Sequence, residues 1–189
     1  TPSTEVLETV AKHNPGDIYV EWSVNEKAGM EVAAAAAYTG ARAMVTMKQV
    51  GLNVASDPLM SLAYVGVKGG MVVMVADDPG PISSQTEQDT RHYGQFSKLP
   101  VFDPSSPEEA YEMIGDAFDY SEKYHTPVLF RPTTRICHGC ASVELKERIS
   151  LPAPQGFVKD PDKWVIFPRL SNANHKMIEA RNPVIGEDF

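Results

Sequence analysis

Residues 71–76 read Met-Val-Val-Met-Val-Ala, six consecutive apolar residues with no polar break. A strand with one face in water alternates apolar and polar residues. A strand covered on both faces does not, and helices cover both faces chiefly in parallel sheets. The run is set off by Gly66 to Gly70 on one side and by Asp77-Asp78-Pro79-Gly80 on the other, both turn-forming segments. Working outward, strands are expected over 18–22, 43–47 and 128–131. Helices are expected over 3–13, 26–38, 53–63 and 107–124. The last of these is announced by Ser106-Pro107-Glu108-Glu109, a capping box with proline at the first helical position. Thr1 and Pro2 give a similar signal for the first helix. Helices alternating with strands indicate an open α/β fold, a mostly parallel sheet with helices on both faces.

A single domain over 1–148 accounts for these elements. Beyond it, Pro and Asp recur without a period, and 149–189 is expected to be an extended linker toward a following domain, with a short helix near 172–181. The chain opens without Met and directly on a helix start, which is expected of a fragment of a longer polypeptide. Lys and Arg number 17 against 25 Asp and Glu, a net charge of -8, so no basic surface is offered to nucleic acid. No apolar run approaches the ~20 residues that span a bilayer, and no leader pattern precedes the first helix. A cytoplasmic protein is expected. No G-x-G-x-x-G follows a strand and no Walker A sequence occurs, so nucleotide binding lacks its phosphate cradle.

In an open α/β sheet ligands bind beyond the carboxyl ends of the strands. Three features fall there: Glu26, the KQVGLN stretch 48–53 and the long polar segment 77–91. Each has a plain alternative. Glu26 is also the last residue of the pattern Ser23-Val24-Asn25-Glu26, three positions after the cap, and reaching back to the Ser23 amide would make it only a cap. Gly51 could mark an ordinary turn. Arg91 could be a surface arginine, or could grip a carboxylate with its planar fork. A connection as long as 77–91 is seldom a plain connector. Cys137-His138-Gly139-Cys140 has metal-ligand spacing but no second pair, and the remaining histidines are scattered.

Taken together, several blocks carry a family resemblance: TPSTEV (1–6), EWSVNEKAGMEVAAAAAYTGARAMVTMKQVGLNVASDPLM (21–60), DDPGPISSQTEQDTRHYGQFSKLPVFDPSSPEEAYEM (77–113) and TPVLFRPTTR (126–135). The chain resembles the pyrimidine-binding (Pyr) domain of the thiamine-diphosphate-dependent 2-oxoacid:ferredoxin oxidoreductases, in the branch of alpha subunits acting on indolepyruvate. The resemblance implies a first strand ahead of TPSTEV that this sequence lacks. It implies Glu26 as the catalytic carboxyl group at the aminopyrimidine N1′. Gln49, Val50, Gly51 and Leu52 would lie against the cofactor ring, and Thr1 and Arg91 would face the 2-oxoacid. It implies oxidative decarboxylation with coenzyme A, and ferredoxin as electron acceptor. Mg²⁺ would be bound by another domain, [4Fe-4S] clusters would lie elsewhere in the longer alpha subunit, and a beta subunit would complete the enzyme. Self-association through Pyr domains is expected, with the small-residue helix 27–37 at the interface. Cys137 departs from the family pattern and takes no role from it. A non-oxidative thiamine-diphosphate decarboxylase, or a non-catalytic α/β assembly module, are the rival readings.

Overall fold

The computed structural model describes residues 2–147 and 149–189. Its elements run α1 (Thr4–His13), α2 (Glu26–Tyr38), β1 (Ala43–Lys48), α3 (Gln49–Val54), α4 (Ser56–Val65), β2 (Met71–Ala76) and α5 (Arg91–Ser97). Then follow β3 (Val101–Phe102), α6 (Pro107–Tyr124), β4 (Val128–Phe130), α7 (Thr134–Cys137), α8 (Pro161–Trp164) and α9 (Pro168–Asp188). The sheet is parallel throughout, in the order β1-β2-β4-β3. Every residue of β2 is buried. Met71, Val73 and Val75 point to one core with Met30, Leu52, Leu59 and Leu62. Val72 and Met74 point to the other with Phe102, Ala117 and Phe130. The period of two is intact, and both faces are covered.

Helix α2 reaches the sheet closely because Ala33, Ala34 and Ala37 make up its buried face beside Met30. The amides of Lys68 and Gly69 donate to the Ala37 carbonyl at 3.3 and 2.8 Å. A Cβ at Gly69 would stand 2.2 Å from the Ala41 oxygen, so only glycine fits this junction. The alanines therefore serve packing inside the domain. On the other face α6 begins as its sequence signals. Ser106 Oγ accepts from the Glu109 amide at 3.2 Å, and the Glu109 carboxylate accepts from the Ser105 amide at 2.6 Å. Among the described residues no helix is long and apolar enough to cross a membrane.

Several elements differ from expectation. Residues 18–22 form no strand. Ile18, Tyr19 and Trp22 are 50%, 82% and 61% exposed, and no described strand lies alongside to pair with them. The 48–53 stretch is no loop. Lys48 ends β1 and Gln49 begins α3 at once, and the helix expected over 53–63 is divided at Ala55 into α3 and α4. Pro58 sits in the first turn of α4, where its missing N–H has no partner to lose. The helix expected near 172–181 extends to 21 residues. It returns to the domain: Ile178 and Ile185 are buried, and Asn174 Nδ2 donates to the Tyr64 carbonyl at 2.9 Å.

Candidate active site

Glu26 is the first residue of α2, and its cap is Asn25, whose Oδ1 accepts from the Ala28 amide at 2.9 Å. Ser23 Oγ donates instead to Glu21. Glu26 thus does no capping-box work. Its half-buried carboxylate has no hydrogen-bond partner among the described residues. It lies across the backbone of Gly51 in α3: a Cβ there would meet Glu26 Cγ, Oε1 and Cδ at 2.6, 2.7 and 2.9 Å. The direct passage from β1 into α3 produces this contact, because it sets the first turn of α3 over the carboxyl end of the strand.

Gln49 is buried beside it. Its Nε2 donates to the Thr86 carbonyl at 3.0 Å, while Oε1 is buried without a partner among the described residues. Val50 is half-buried. Leu52, expected against the cofactor ring with these residues, is wholly in the core. Thr1 lies outside the described residues.

The segment 77–90 is a built structure. Asp78 Oδ2 accepts from the amides of Ile82, Ser83 and Ser84 at 2.7–3.0 Å, and Thr134 Oγ1 donates to its other oxygen at 2.8 Å. These donors, led by the Ser83 amide, hold the Asp78 carboxyl at a pKa of about 2. Glu87 accepts from the Gly80 amide at 2.9 Å, and Lys48 Nζ donates to the Ser83 carbonyl at 3.3 Å. Asp78 and Glu87 thus cap amides. Arg91 is not the unpartnered cation that a substrate-binding residue would suggest. Its Nε and Nη2 donate to the Asp89 carboxylate at 2.7–3.1 Å, and its Nη1 lies 3.6 Å from Asp103 Oδ2. Asp89 is drawn down to a pKa of about 2, chiefly by the Arg91 hydrogen bond, and Arg91 is raised in turn. The side chain of Arg91 is 55% exposed.

A second cation at this edge escaped the sequence reading. Arg131, directly after β4, is buried and donates from Nε to Asp77 Oδ2 at 2.7 Å and from Nη1 to Asp103 Oδ1 at 3.1 Å. The available signal is positional. Asp77 and Arg131 are the first charged residues after the two most buried strands. The cysteines are free thiols. Burial pushes the Cys137 thiol up to about 11, with Glu5 adding to it, so it is a poor nucleophile at neutral pH. Among the described residues no three His, Cys, Asp or Glu side chains come together as metal ligands.

Residues 1–164 match the family described as pyruvate flavodoxin/ferredoxin oxidoreductase, thiamine diphosphate-binding. The chain belongs to this family. The matched span of the oxidoreductase family runs past the boundary expected at 148, to the end of α8. A Methanothermobacter thermautotrophicus relative, indolepyruvate oxidoreductase subunit IorA, is 49% identical over 181 residues, covering 94% of this chain and 29% of its own length. The Thermococcus kodakarensis protein of the same name is 45% identical over 195 residues, covering 100% and 30%. The chain therefore spans about a third or less of these relatives. A solved 2-oxoglutarate:ferredoxin oxidoreductase from Magnetococcus marinus superposes with a TM-score of 0.63 at 24% identity, over 72% of this chain and 25% of that one. At that identity the likeness speaks for the family's fold alone.

Proposed function

We propose that this chain supplies the aminopyrimidine side of a thiamine diphosphate site in an indolepyruvate-type 2-oxoacid:ferredoxin oxidoreductase. The observation that carries this reading is the Glu26 carboxylate, unpartnered among the described residues and laid against Gly51. The residues fit the group. An aminopyrimidine presents a ring nitrogen that takes a proton and an amino group that gives one. Glu26 can share a proton with the first, and the open Gln49 Oε1 is a buried acceptor of the kind the second needs. The bare backbone at Gly51 leaves room for a flat ring beside the carboxylate. The relatives named indolepyruvate oxidoreductase support the aryl 2-oxoacid as substrate class.

When bound, the cofactor supplies the carbon nucleophile for the 2-oxo carbon and takes up the electron pair as CO₂ leaves. Glu26 holds the proton at N1′ and thereby sets the basicity of the neighbouring amino group. Gln49, fixed through Thr86, orients the ring. Arg91 binds the substrate carboxylate, exchanging part of its hold on neighbouring acids for it, and Thr1 is assigned to the same substrate. Coenzyme A accepts the acyl group and ferredoxin the electrons. Mg²⁺, [4Fe-4S] clusters, a beta subunit and contact between Pyr domains belong to the remainder of a cytoplasmic enzyme.

The test is Glu26→Gln in the complete oxidoreductase. Turnover should fall by a factor of about 10²–10⁴, the range for a positioned general acid or base. Exchange of the cofactor C2 proton, followed by NMR, should slow with it, while cofactor affinity changes only modestly. Turnover within a few-fold of the parent enzyme would remove Glu26 from the chemistry. Gly51→Ala makes the same point from the other side. The fold should hold, since Ala favours a helix by ~1 kcal/mol over Gly. Displacing the Glu26 side chain should nevertheless slow C2 exchange.

A further inference from the structure

Three strands are each followed at once by a charged residue. Asp77 follows β2, Asp103 follows β3 and Arg131 follows β4. With Arg91 and Asp89 they make a row of alternating sign: Asp77, Arg131, Asp103, Arg91, Asp89. The inner end of the row is buried, with Asp77 at 0% and Arg131 at 7% exposed. Toward the outer end Arg91, paired with Asp89, reaches solvent. Asp77 also holds the chain that carries Arg91. The Thr90 amide donates to Asp77 Oδ2 at 2.9 Å, and Thr90 Oγ1 donates to Asp77 Oδ1. The residue immediately before Arg91 is thus held by one buried carboxylate, which is also linked through Arg131 to Asp103, the more distant of the two acids facing Arg91.

We infer that Asp77 and Arg131 are positioning residues that aim Arg91 at the carboxylate of a 2-oxoacid. The inference rests on the role proposed above for Arg91 and goes beyond it by assigning the row behind it. Replacing a buried ion pair with an apolar pair of similar volume often costs no stability. Directional control is what a charged pair adds here. Arg131 also solves a problem of charge balance. A substrate carboxylate arriving at Arg91 competes with Asp89, which accepts from Nε and Nη2 at 2.7–3.1 Å and is partly open to water, and with Asp103, which lies 3.6 Å from Nη1, beyond hydrogen-bond distance. When Arg91 turns to the substrate, Asp103 keeps Arg131 at 3.1 Å and is not left unpaired. Arg131 keeps Asp77 as well, so no buried charge is stranded during the exchange.

The test uses Thr90→Val in the complete enzyme, because it keeps the side-chain shape and the Thr90 amide bond while removing the hydroxyl bond to Asp77. The KM for the 2-oxoacid should rise about three- to ten-fold, the size of one hydrogen bond's net contribution. The KM for coenzyme A and the C2-proton exchange measured without substrate should stay within two-fold. Asp77→Asn should give the same split with larger amplitude. In an Arg91→Ala background Thr90→Val should add nothing to the KM, since the group it aims is gone. If Thr90→Val lowers the melting temperature but leaves the KM unchanged, while Arg91→Ala raises it, the row is structural and the inference is overturned with Arg91 keeping its role. If Arg91→Ala itself leaves the KM unchanged, the role of Arg91 falls and this inference with it.

Discussion

At the amino end of the strands, Arg42 lies against Glu122 in a two-pronged pair at 2.8 and 2.9 Å, with Asp119 at 2.6 Å and the Phe118 ring beneath the guanidinium. Glu122 also accepts from the Gly70 amide at 3.3 Å. At the carboxyl end Arg131 likewise faces two acids. The first cluster closes on itself, and its acids are open to water, Asp119 being 65% exposed. The second continues from a buried carboxylate through Asp103 to Arg91, which reaches solvent. The same ingredients therefore make a closed fastening at one end and a row that runs out to solvent at the other. Burial of one partner and an open last member separate the two.

The largest effect that would break this comparison is expected at the buried end. Asp77→Ala leaves Arg131 with only the half-exposed Asp103 and strands the Thr90 donors. Unfolding in urea should show a loss of about 3–5 kcal/mol. Arg42→Ala should cost much less, about 0.2–1 kcal/mol, and less still in high salt, because its acids are solvated. A larger loss for Arg42→Ala than for Asp77→Ala would reverse the assignment of the two ends.

Between these lies Asp78, which sharpens the comparison through pH. Its folded-state pKa, about 2, is below the ordinary 3.8 because amide and hydroxyl donors favour the anion. The unfolded chain therefore takes up the proton first. The contribution of Asp78 is present above about pH 4 and is lost as pH falls toward 2. Asp78→Asn should lower stability at neutral pH and flatten the acid limb of the stability profile. An unchanged acid limb would show that the 77–90 segment is not held by this carboxylate.

What could be read from the chain was whatever is local. The apolar run 71–76 stated its own two-sided burial. Ser106 to Glu109 stated a helix start, because a cap is made by neighbours within four residues. The strand expected over 18–22 failed because pairing is a property of two segments, and its apolar residues name no partner. The two-residue β3 is too short to leave a periodic pattern, and its place is set by Leu129 and Arg131, whose amides donate to the Pro100 and Phe102 carbonyls. At the site, Glu26 and the 48–53 stretch were found separately, one as a possible cap and one as a possible turn. Arg131 passed unnoticed because a charge after a strand looks like any surface charge until its burial is known.

The sequence by itself determined the class of fold and the residue types at the strand ends, since hydrophobic period and capping patterns act over a few residues. It also carried the family resemblance that singled out Glu26. Only the tertiary structure decided that Glu26 lies on Gly51, 25 positions away. It alone decided that Asp77 meets Arg131 from 54 positions away. Those contacts come from packing α2 and α3 over β1 and from setting β2 beside β4. The energy that brings these groups together is that of burying the apolar faces, so their own sequence neighbourhoods hold no record of it.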